Sequence, residues 1–146
     1  MDPQDRATRS AAVMMANDNA SRALGMELVE IAPGAATLTM RVTDAMINGH
    51  GICHGGYIFT LADSAFAFAC NSYNAVTVAQ QNQITYVDPG RAGELLTATA
   101  TQTAVAGRSG VYDVTVTGEN GRCVATFRGL SRRIRGQHFP EDGETE

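Results

Sequence analysis

The segment that most restricts how this chain can fold is residues 45–87, where Asp63 is the one formally charged side chain. Within it, residues 57–73 contain no Pro, Gly or basic residue, and apolar side chains occur on nearly every side of a helical projection. A helix without a polar face lies inside a domain rather than on its surface. The sequence therefore predicts one long internal helix that carries a carboxylate.

Most of the remaining chain has the pattern of antiparallel strands. Residues 37–42 alternate between apolar and polar side chains, which is typical of a half-buried strand. Later segments are rich in Thr, Val and Ala and are separated by turn residues, including a hairpin signal at 119–122. The predicted strands are 26–32, 37–42, 84–87, 95–105, 111–117 and 123–128. These features favour an α+β domain in which an antiparallel sheet wraps one long helix.

The two ends of the chain differ from its middle. An N-terminal segment at about 5–24 is expected to be helical, and residues 1–136 are expected to form a single domain. Residues 137–146 are expected to be a disordered tail because acids dominate them. The acids of this tail are Glu141, Asp142, Glu144 and Glu146.

Composition excludes several classes of function. The net charge of −4 argues against nucleic acid or an anionic membrane as the main partner. The chain has no Lys, which excludes a Schiff-base lysine and a phosphate-loop lysine. No apolar run approaches the roughly 20 residues that span a bilayer, and no signal peptide is visible. With three scattered cysteines expected to stay reduced, the predicted location is the cytoplasm.

Asp63 and the glycines before the helix suggest acyl-transfer chemistry. An ionised carboxylate in apolar surroundings is unfavourable, so Asp63 is either a solvated residue at the helix edge or a functional group. His54, Gly55 and Gly56 stand at the predicted helix start, where free backbone N–H groups can bind a developing oxyanion. Enzymes that attack an acyl group need an oxyanion site together with a base or nucleophile, and a carboxylate can be either.

The spacing of these groups predicts how they would meet. Gly55 and Asp63 are eight residues apart, which is about 12 Å along a helix. A single carbonyl group cannot contact both at once. If the two groups cooperate, they must come from two antiparallel copies of the helix at a dimer interface.

Other chemistries fit the sequence less well. His50 and His54 have the spacing of a helical metal-binding pair, but the glycines around them disfavour a helix and no further ligand cluster follows. Cys53 lacks a visible acidic or amide partner for a neighbouring His, so a buried, unreactive thiol is favoured over a nucleophile. We expect no metal and no cofactor.

The motif residues also resemble a known family. The run from Asn48 to Gly56, Asn-Gly-His-Gly-Ile-Cys-His-Gly-Gly, followed by Thr-Leu-Ala-Asp at 60–63, is similar to the signature of hotdog-fold acyl-CoA thioesterases. The resemblance is greatest to the phenylacetate-degradation (PaaI) type and extends over about residues 26–135. It implies a hotdog fold, with a long central helix wrapped by a five- to six-stranded antiparallel sheet. It also implies a homodimer with a continuous sheet and composite active sites, and pairing of two dimers into a tetramer.

The resemblance implies roles for individual residues. Asp63 would be the nucleophile or general base, and the Gly55 N–H of the partner subunit would polarise the thioester carbonyl. Asn48 would place water or the thioester, and His54 would shape the same loop. Some relatives carry Ser or Thr in the strand after the helix; here that position is Ala79, with Thr77 or Gln80 as possible substitutes.

Substrate contacts are expected at the subunit edge and along the helix. The arginines are candidates for the coenzyme A phosphates, and the two phenylalanines for an aryl-acyl pocket, with core packing or turn formation as the alternatives. The candidates are Gly56, Arg91, Arg108, Ser109, Arg128, Phe59 and Phe66. The predicted activity is hydrolysis of (hydroxy)phenylacetyl-CoA or a similar aryl-acyl-CoA, with coenzyme A as part of the substrate. The alternatives are an acyl-CoA hydratase or dehydratase and a non-catalytic acyl-CoA-binding protein.

Overall fold

The computed structural model describes residues 1–141, which form one six-stranded antiparallel sheet and three α-helices, besides two short 3₁₀ turns. The helices are α1 (Pro3–Asn17), α2 (Asn19–Ala23) and α3 (Gly55–Cys70). The strands are β1 (Glu27–Ala32), β2 (Ala35–Arg41), β3 (Thr77–Tyr86), β4 (Leu95–Ala106), β5 (Ser109–Thr117) and β6 (Cys123–Arg133). They lie in the order β1-β2-β4-β5-β6-β3, and all neighbouring strands are antiparallel.

Helix α3 is the internal helix that the apolar segment predicts. It packs on the inner face of the sheet, chiefly against β2, β4 and β5. Leu61 and Ala65 of α3 expose none of their surface, and neither do Ala98 and Ala100 of β4. Small side chains on the strand let the helix approach the sheet closely. The prediction of an α+β domain with a wrapped central helix is confirmed.

The N-terminal helical segment is divided in two. Asp18 leaves the helical conformation with φ −92° and ψ 85°, and its carboxylate accepts the Ser21 amide at 2.9 Å. An aspartate in this position caps the next helix, because it satisfies an amide that has no partner in the first turn. Ser21 then shares a buried hydrogen bond of 2.8 Å with Ser64, which attaches the N-terminal helices to α3.

The first half of the predicted tail is folded onto the domain. Phe139 is 7% exposed, and the guanidinium of Arg9 lies 4.1 Å from the centre of its ring. Glu141 accepts hydrogen bonds from Arg6 at 2.7 and 3.0 Å. The expectation of disorder is therefore corrected as far as Glu141; the remaining five residues of the tail lie outside the described residues.

Strand β3 begins at Thr77, seven residues before the predicted start at 84. Residues 77–83 of this strand are mostly polar and exposed, and within the described chain β3 is an edge strand that pairs only with β6. The periodicity of apolar side chains that marks an inner strand is missing there. Within the described chain, one side of the β3 backbone faces no other strand, and Val78 and Tyr86 are 44% and 50% exposed.

Candidate active site

Asn48 organises the loop that leads into α3. Its Oδ1 accepts the backbone amides of His50 at 2.9 Å and Ile52 at 3.3 Å, which closes the glycine-rich turn on the asparagine side chain. Its Nδ2 group has no acceptor within residues 1–141, and the residue lines a cleft. The side chain therefore shapes the loop with its oxygen and keeps a donor group available.

The start of α3 presents one free backbone donor. His54 is the N-cap, and its Nδ1 accepts the Gly56 amide at 2.9 Å. Gly55 is the first helical residue, and its amide has no acceptor within the described part of the chain. Since the positive end of the helix dipole lies here, the Gly55 N–H is placed to bind an oxygen that gains negative charge.

A second contact requires glycine at position 55. The Tyr86 hydroxyl donates to the Gly55 carbonyl at 2.8 Å. A Cβ atom at Gly55 would stand 2.9 Å from the Tyr86 ring, which is closer than carbon atoms approach without displacement. Glycine at this position therefore lets the Tyr86 side chain pack directly against the first turn of α3.

The Gly55 backbone borders a cleft of about 440 Å³. One wall comes from the loop and the first turn of α3, and the other from the end of β3 and the residues after it. The lining residues are Asn48, Ile52, Cys53, Gly55, Ile58, Tyr86, Val87, Asp88 and Pro89. A mostly apolar cleft with a few polar groups is the usual form of a small-molecule site.

The second wall of the cleft is held by a buried ion pair. Glu94 is 5% exposed and accepts two hydrogen bonds from Arg122, at 2.8 and 2.9 Å. Arg122 also donates to the Pro89 carbonyl at 2.9 Å and contacts the Asp88 carboxylate. These contacts lower the pKa of Glu94 to about 2, because the guanidinium stabilises the ionised carboxylate. Arg91 lies just beyond this wall, 3.9 Å from Asp88.

Asp63 lies two turns along α3 and does not line this cleft. Its carboxylate accepts one hydrogen bond within the described chain, from Asn82 Nδ2 at 3.0 Å. Burial raises the pKa of Asp63, because water is excluded from the charged form, and the Asn82 bond opposes this effect. The structure thus places Asn48, His54, Gly55 and Gly56 together and leaves Asp63 apart from them, as the helical spacing predicts.

The other candidate arginines are away from the cleft. Arg128 lies on the outer face of the sheet and donates to both oxygens of Asp113, at 2.7 and 2.8 Å. Arg108 and Ser109 form the β4–β5 turn, which borders a small hollow together with Cys70. Cys70 is the last residue of α3, so this turn is at the opposite end of the helix from Gly55.

The two candidate phenylalanines pack in the core of the described chain. Phe66 is 1% exposed and lies between Tyr112 and Phe127, with ring centres 5.6 and 5.9 Å away. Phe59 is half-buried and contacts Phe127 at 5.6 Å. Core packing accounts for Phe66 without a contact to substrate, whereas Phe59 keeps an accessible surface.

Other chemistries have no assembled site here. Cys53 is 3% exposed, and burial raises the pKa of its thiol, which disfavours the thiolate that a nucleophile requires. Within residues 1–141, no three His, Cys, Asp or Glu side chains come together as a metal site would need. In the same range, no helix has the length and apolar character to cross a bilayer.

Comparison with known proteins places this arrangement in a family. A family model described as Thioesterase superfamily matches residues 50–125, which include α3, most of the loop before it and all of the cleft-lining residues except Asn48. The chain belongs to the thioesterase superfamily. The hotdog fold that the resemblance implies is confirmed by relatives of known structure within this superfamily.

One such relative is similar over almost the whole chain. Acyl-coenzyme A thioesterase PaaI of Escherichia coli is 44% identical over 131 residues, which cover 90% of this chain and 94% of that protein. The structure of E. coli PaaI, from the phenylacetic acid degradation operon, superposes with a TM-score of 0.91 over 93% of this chain and 99% of that one. A hypothetical thioesterase of Streptococcus pneumoniae with coenzyme A superposes with a TM-score of 0.73 at 28% identity, over 77% and 87% of the two chains.

Two residues of the site were not found from the sequence. Asn82 lies in the polar half of β3, where no strand was predicted, so its approach to Asp63 was not visible. Tyr86 was assigned to a strand but not to the helix start that it contacts. The lone carboxylate of Asp63 indicates that some polar side chain must support it. Only the position of β3 beside α3 shows that this side chain is Asn82.

Proposed function

We propose that this chain hydrolyses acyl-CoA thioesters to a free acid and coenzyme A. The observation that carries the proposal is the free Gly55 N–H at the positive end of α3, at the edge of an apolar cleft, on the helix that carries Asp63. The names of the superfamily relatives support the same chemistry. The E. coli relative is named an acyl-CoA thioesterase, and the S. pneumoniae structure contains coenzyme A.

The proposed reaction assigns one task to each group. The thioester carbonyl oxygen accepts the Gly55 N–H, which stabilises the negative charge that develops during attack. Asp63 either removes a proton from the attacking water or attacks the carbonyl carbon itself, forming an anhydride that water then hydrolyses. In both routes the carbon–sulfur bond breaks and the sulfur leaves as the coenzyme A thiolate, which takes up a proton. Asn48, with its free Nδ2, is proposed to place the water or the thioester.

We propose that Gly55 and Asp63 of one active site come from two subunits. Their separation along α3 is about 12 Å, too far for one carbonyl to contact both. The unpaired edge of β3 offers a way to extend the sheet across a two-fold axis. If that axis passes near Phe59, midway between the two residues in sequence, each Gly55 lies opposite Asp63 of the partner subunit.

The acyl group that we propose is aromatic, as in (hydroxy)phenylacetyl-CoA. The cleft has the volume for an aryl group, and its walls include Tyr86, Val87 and Pro89. The operon of the E. coli relative is consistent with this choice. For the coenzyme A phosphates, Arg91 is the favoured contact. It is exposed beside the cleft wall and lies 3.9 Å from Asp88, whereas Arg128 donates close hydrogen bonds to both oxygens of Asp113.

The test is release of free thiol from aryl, short-chain and long-chain acyl-CoA substrates, with Asp63→Asn beside the wild type. We expect the variant to lose at least about 10²-fold in kcat while its fold is unchanged, because it removes the base or nucleophile. Asp5→Asn, at an exposed acid of α1, is the matched control and should retain full activity.

Three results would contradict the proposal. Near-wild-type turnover in Asp63→Asn would remove Asp63 from the mechanism. Loss of the conjugated absorbance of an enoyl-CoA without thiol release would indicate a hydratase. Saturable acyl-CoA binding without thiol release from any substrate would indicate a binding protein.

A further inference from the structure

The proposed reaction gives no role to the hydrogen bond between Asn82 and Asp63. Asn82 lies on β3, half-buried, and its Nδ2 donates to Asp63 Oδ1 at 3.0 Å. Within residues 1–141 this is the one hydrogen bond that the carboxylate accepts, and no arginine pairs with it. The amide is therefore the main polar group that supports a carboxylate on an otherwise apolar helix.

The orientation of the Asn82 amide follows from the charge on Asp63. With Nδ2 turned towards the carboxylate, Asn82 Oδ1 is buried and has no donor within the described chain. An unpaired buried acceptor is unfavourable. The opposite orientation would bring the amide oxygen against a carboxylate oxygen, which is worse while Asp63 is ionised. This orientation is therefore the one that an ionised Asp63 favours.

We propose that Asn82 is the positioning residue of Asp63: its amide fixes Oδ1 in place and leaves Oδ2 to face the attacking water or the thioester carbonyl. This inference rests on the proposed function of Asp63 in thioester hydrolysis. A carboxylate with one oxygen anchored has a restricted side-chain rotation, so the free oxygen meets the substrate in one geometry. The hydrogen bond also favours the ionised form, which burial opposes.

Within residues 1–141 of the same chain, few other groups can affect the ionisation of Asp63. Cys70, two turns along α3, has a thiol pKa of about 12 and is neutral at physiological pH. Tyr86, at the far end of β3, has a raised pKa because it is partly buried. On β5 and β6, Asp113 and Arg128 pair with each other on the outer face of the sheet. The remaining charged side chains on elements that contact α3 are all exposed: Arg22, Glu27, Glu30, Arg41, Arg132 and Arg133.

The test compares Asn82→Leu, which has a similar size but no donor, with Asn82→Asp, which replaces the donor by a second carboxylate. Loss of a hydrogen bond to a charged group should raise the pKa of Asp63 by about one unit. The acidic limb of kcat/KM then moves to higher pH by the same amount in Asn82→Leu, and further in Asn82→Asp because like charges disfavour ionisation. We expect kcat to fall near neutral pH, with KM little changed.

A carboxyl ¹³C NMR titration of Asp63 gives the same comparison without turnover. Asp63→Asn identifies the signal, and Gln83→Leu is the matched control, since Gln83 is the next residue of β3 and is exposed. The control should leave the Asp63 titration and the pH profile unchanged. An Asp63 titration in folded Asn82→Leu that coincides with the wild type would overturn the inference, and Asn82→Asp repeats the measurement if the leucine variant does not fold. Full thioesterase activity in Asp63→Asn would instead overturn the proposed function. The NMR titration needs no turnover, so the two failures can be told apart.

Discussion

The division of each active site between two subunits can be tested by mixing two inactive variants. Gly55→Pro removes the N–H that is proposed to bind the carbonyl oxygen, while a helix tolerates proline at its first position. The preceding residue is also compatible, since His54 has φ −60° and ψ 132°, in the extended region that proline requires before it. Asp63→Asn removes the carboxylate. Each homodimer then lacks one of the two groups at both of its sites.

The expected magnitudes follow from the geometry. Loss of one oxyanion donor costs about 10²–10³-fold in kcat, so each variant alone has little activity. After random exchange of subunits, about half of the dimers are mixed. In a mixed dimer with composite sites, one site carries both changes and the other carries neither. The mixture should therefore recover about a quarter of wild-type thiol release.

The assay is thiol release before and after subunit exchange, with exchange verified by native mass spectrometry of size-distinguishable variants. Gly55→Ala is the control for Gly55→Pro, because it adds a similar Cβ contact with the Tyr86 ring but keeps the N–H. If Gly55→Ala is as inactive as Gly55→Pro, the loss comes from the Tyr86 contact rather than the donor. Mixed dimers without recovered activity would show that Gly55 and Asp63 of one chain serve the same site, which would refute the spacing argument.

Two further predictions concern the scaffold of the site. Glu94→Gln should lower the free energy of unfolding at pH 7 by about 1.5–3 kcal/mol, since it removes the charge from a buried acceptor of two Arg122 hydrogen bonds, while Arg122 keeps its contact with Asp88. Because the pKa of Glu94 is lowered from 4.5 to about 2, its stabilisation is complete above pH 4.5 and is lost as the pH falls towards 2. Urea unfolding at pH 7 and pH 3 checks both statements, and an equal loss at the two pH values would contradict the second. Gly129→Ala should cost about 1–3 kcal/mol, because its Cβ would lie 2.7 Å from the buried Phe66 ring. Gly49→Ala, where a Cβ meets nothing within 4 Å, is the control, and equal stability of the two variants would be the contrary result.

Local patterns in the sequence were sufficient to predict the centre of the fold. The apolar segment that contains Asp63 indicated an internal helix, and the glycines before it marked the start of that helix. Both predictions depend on short-range physics: a side chain's neighbours at helical spacing, and the free amides of a first turn. The distance between Gly55 and Asp63 followed from the helical rise alone.

Contacts between segments that are distant in sequence could not be predicted from the sequence. Strand β3 was predicted only in part because residues 77–83 are mostly polar, and its place at the sheet edge depends on pairing with residues of β6 that are 39 to 56 positions away in sequence. From the sequence, Arg128 was a candidate for binding a coenzyme A phosphate. The register of β5 and β6 places it opposite Asp113, with which it forms an ion pair. In the same way, Phe139 and Glu141 belong to the domain because Arg9 and Arg6 of α1 lie next to them.

Asp63 illustrates what the sequence can predict and what requires the tertiary structure. The sequence by itself determined that a single carboxylate lies on an apolar helix, and that it is too far from Gly55 to share a carbonyl with it in one chain. Only the tertiary structure decided which group supports that carboxylate, because Asn82 reaches it from a strand 19 residues further along the chain. Helical spacing is a property of neighbouring residues, whereas the partner of a buried charge depends on how distant segments pack together.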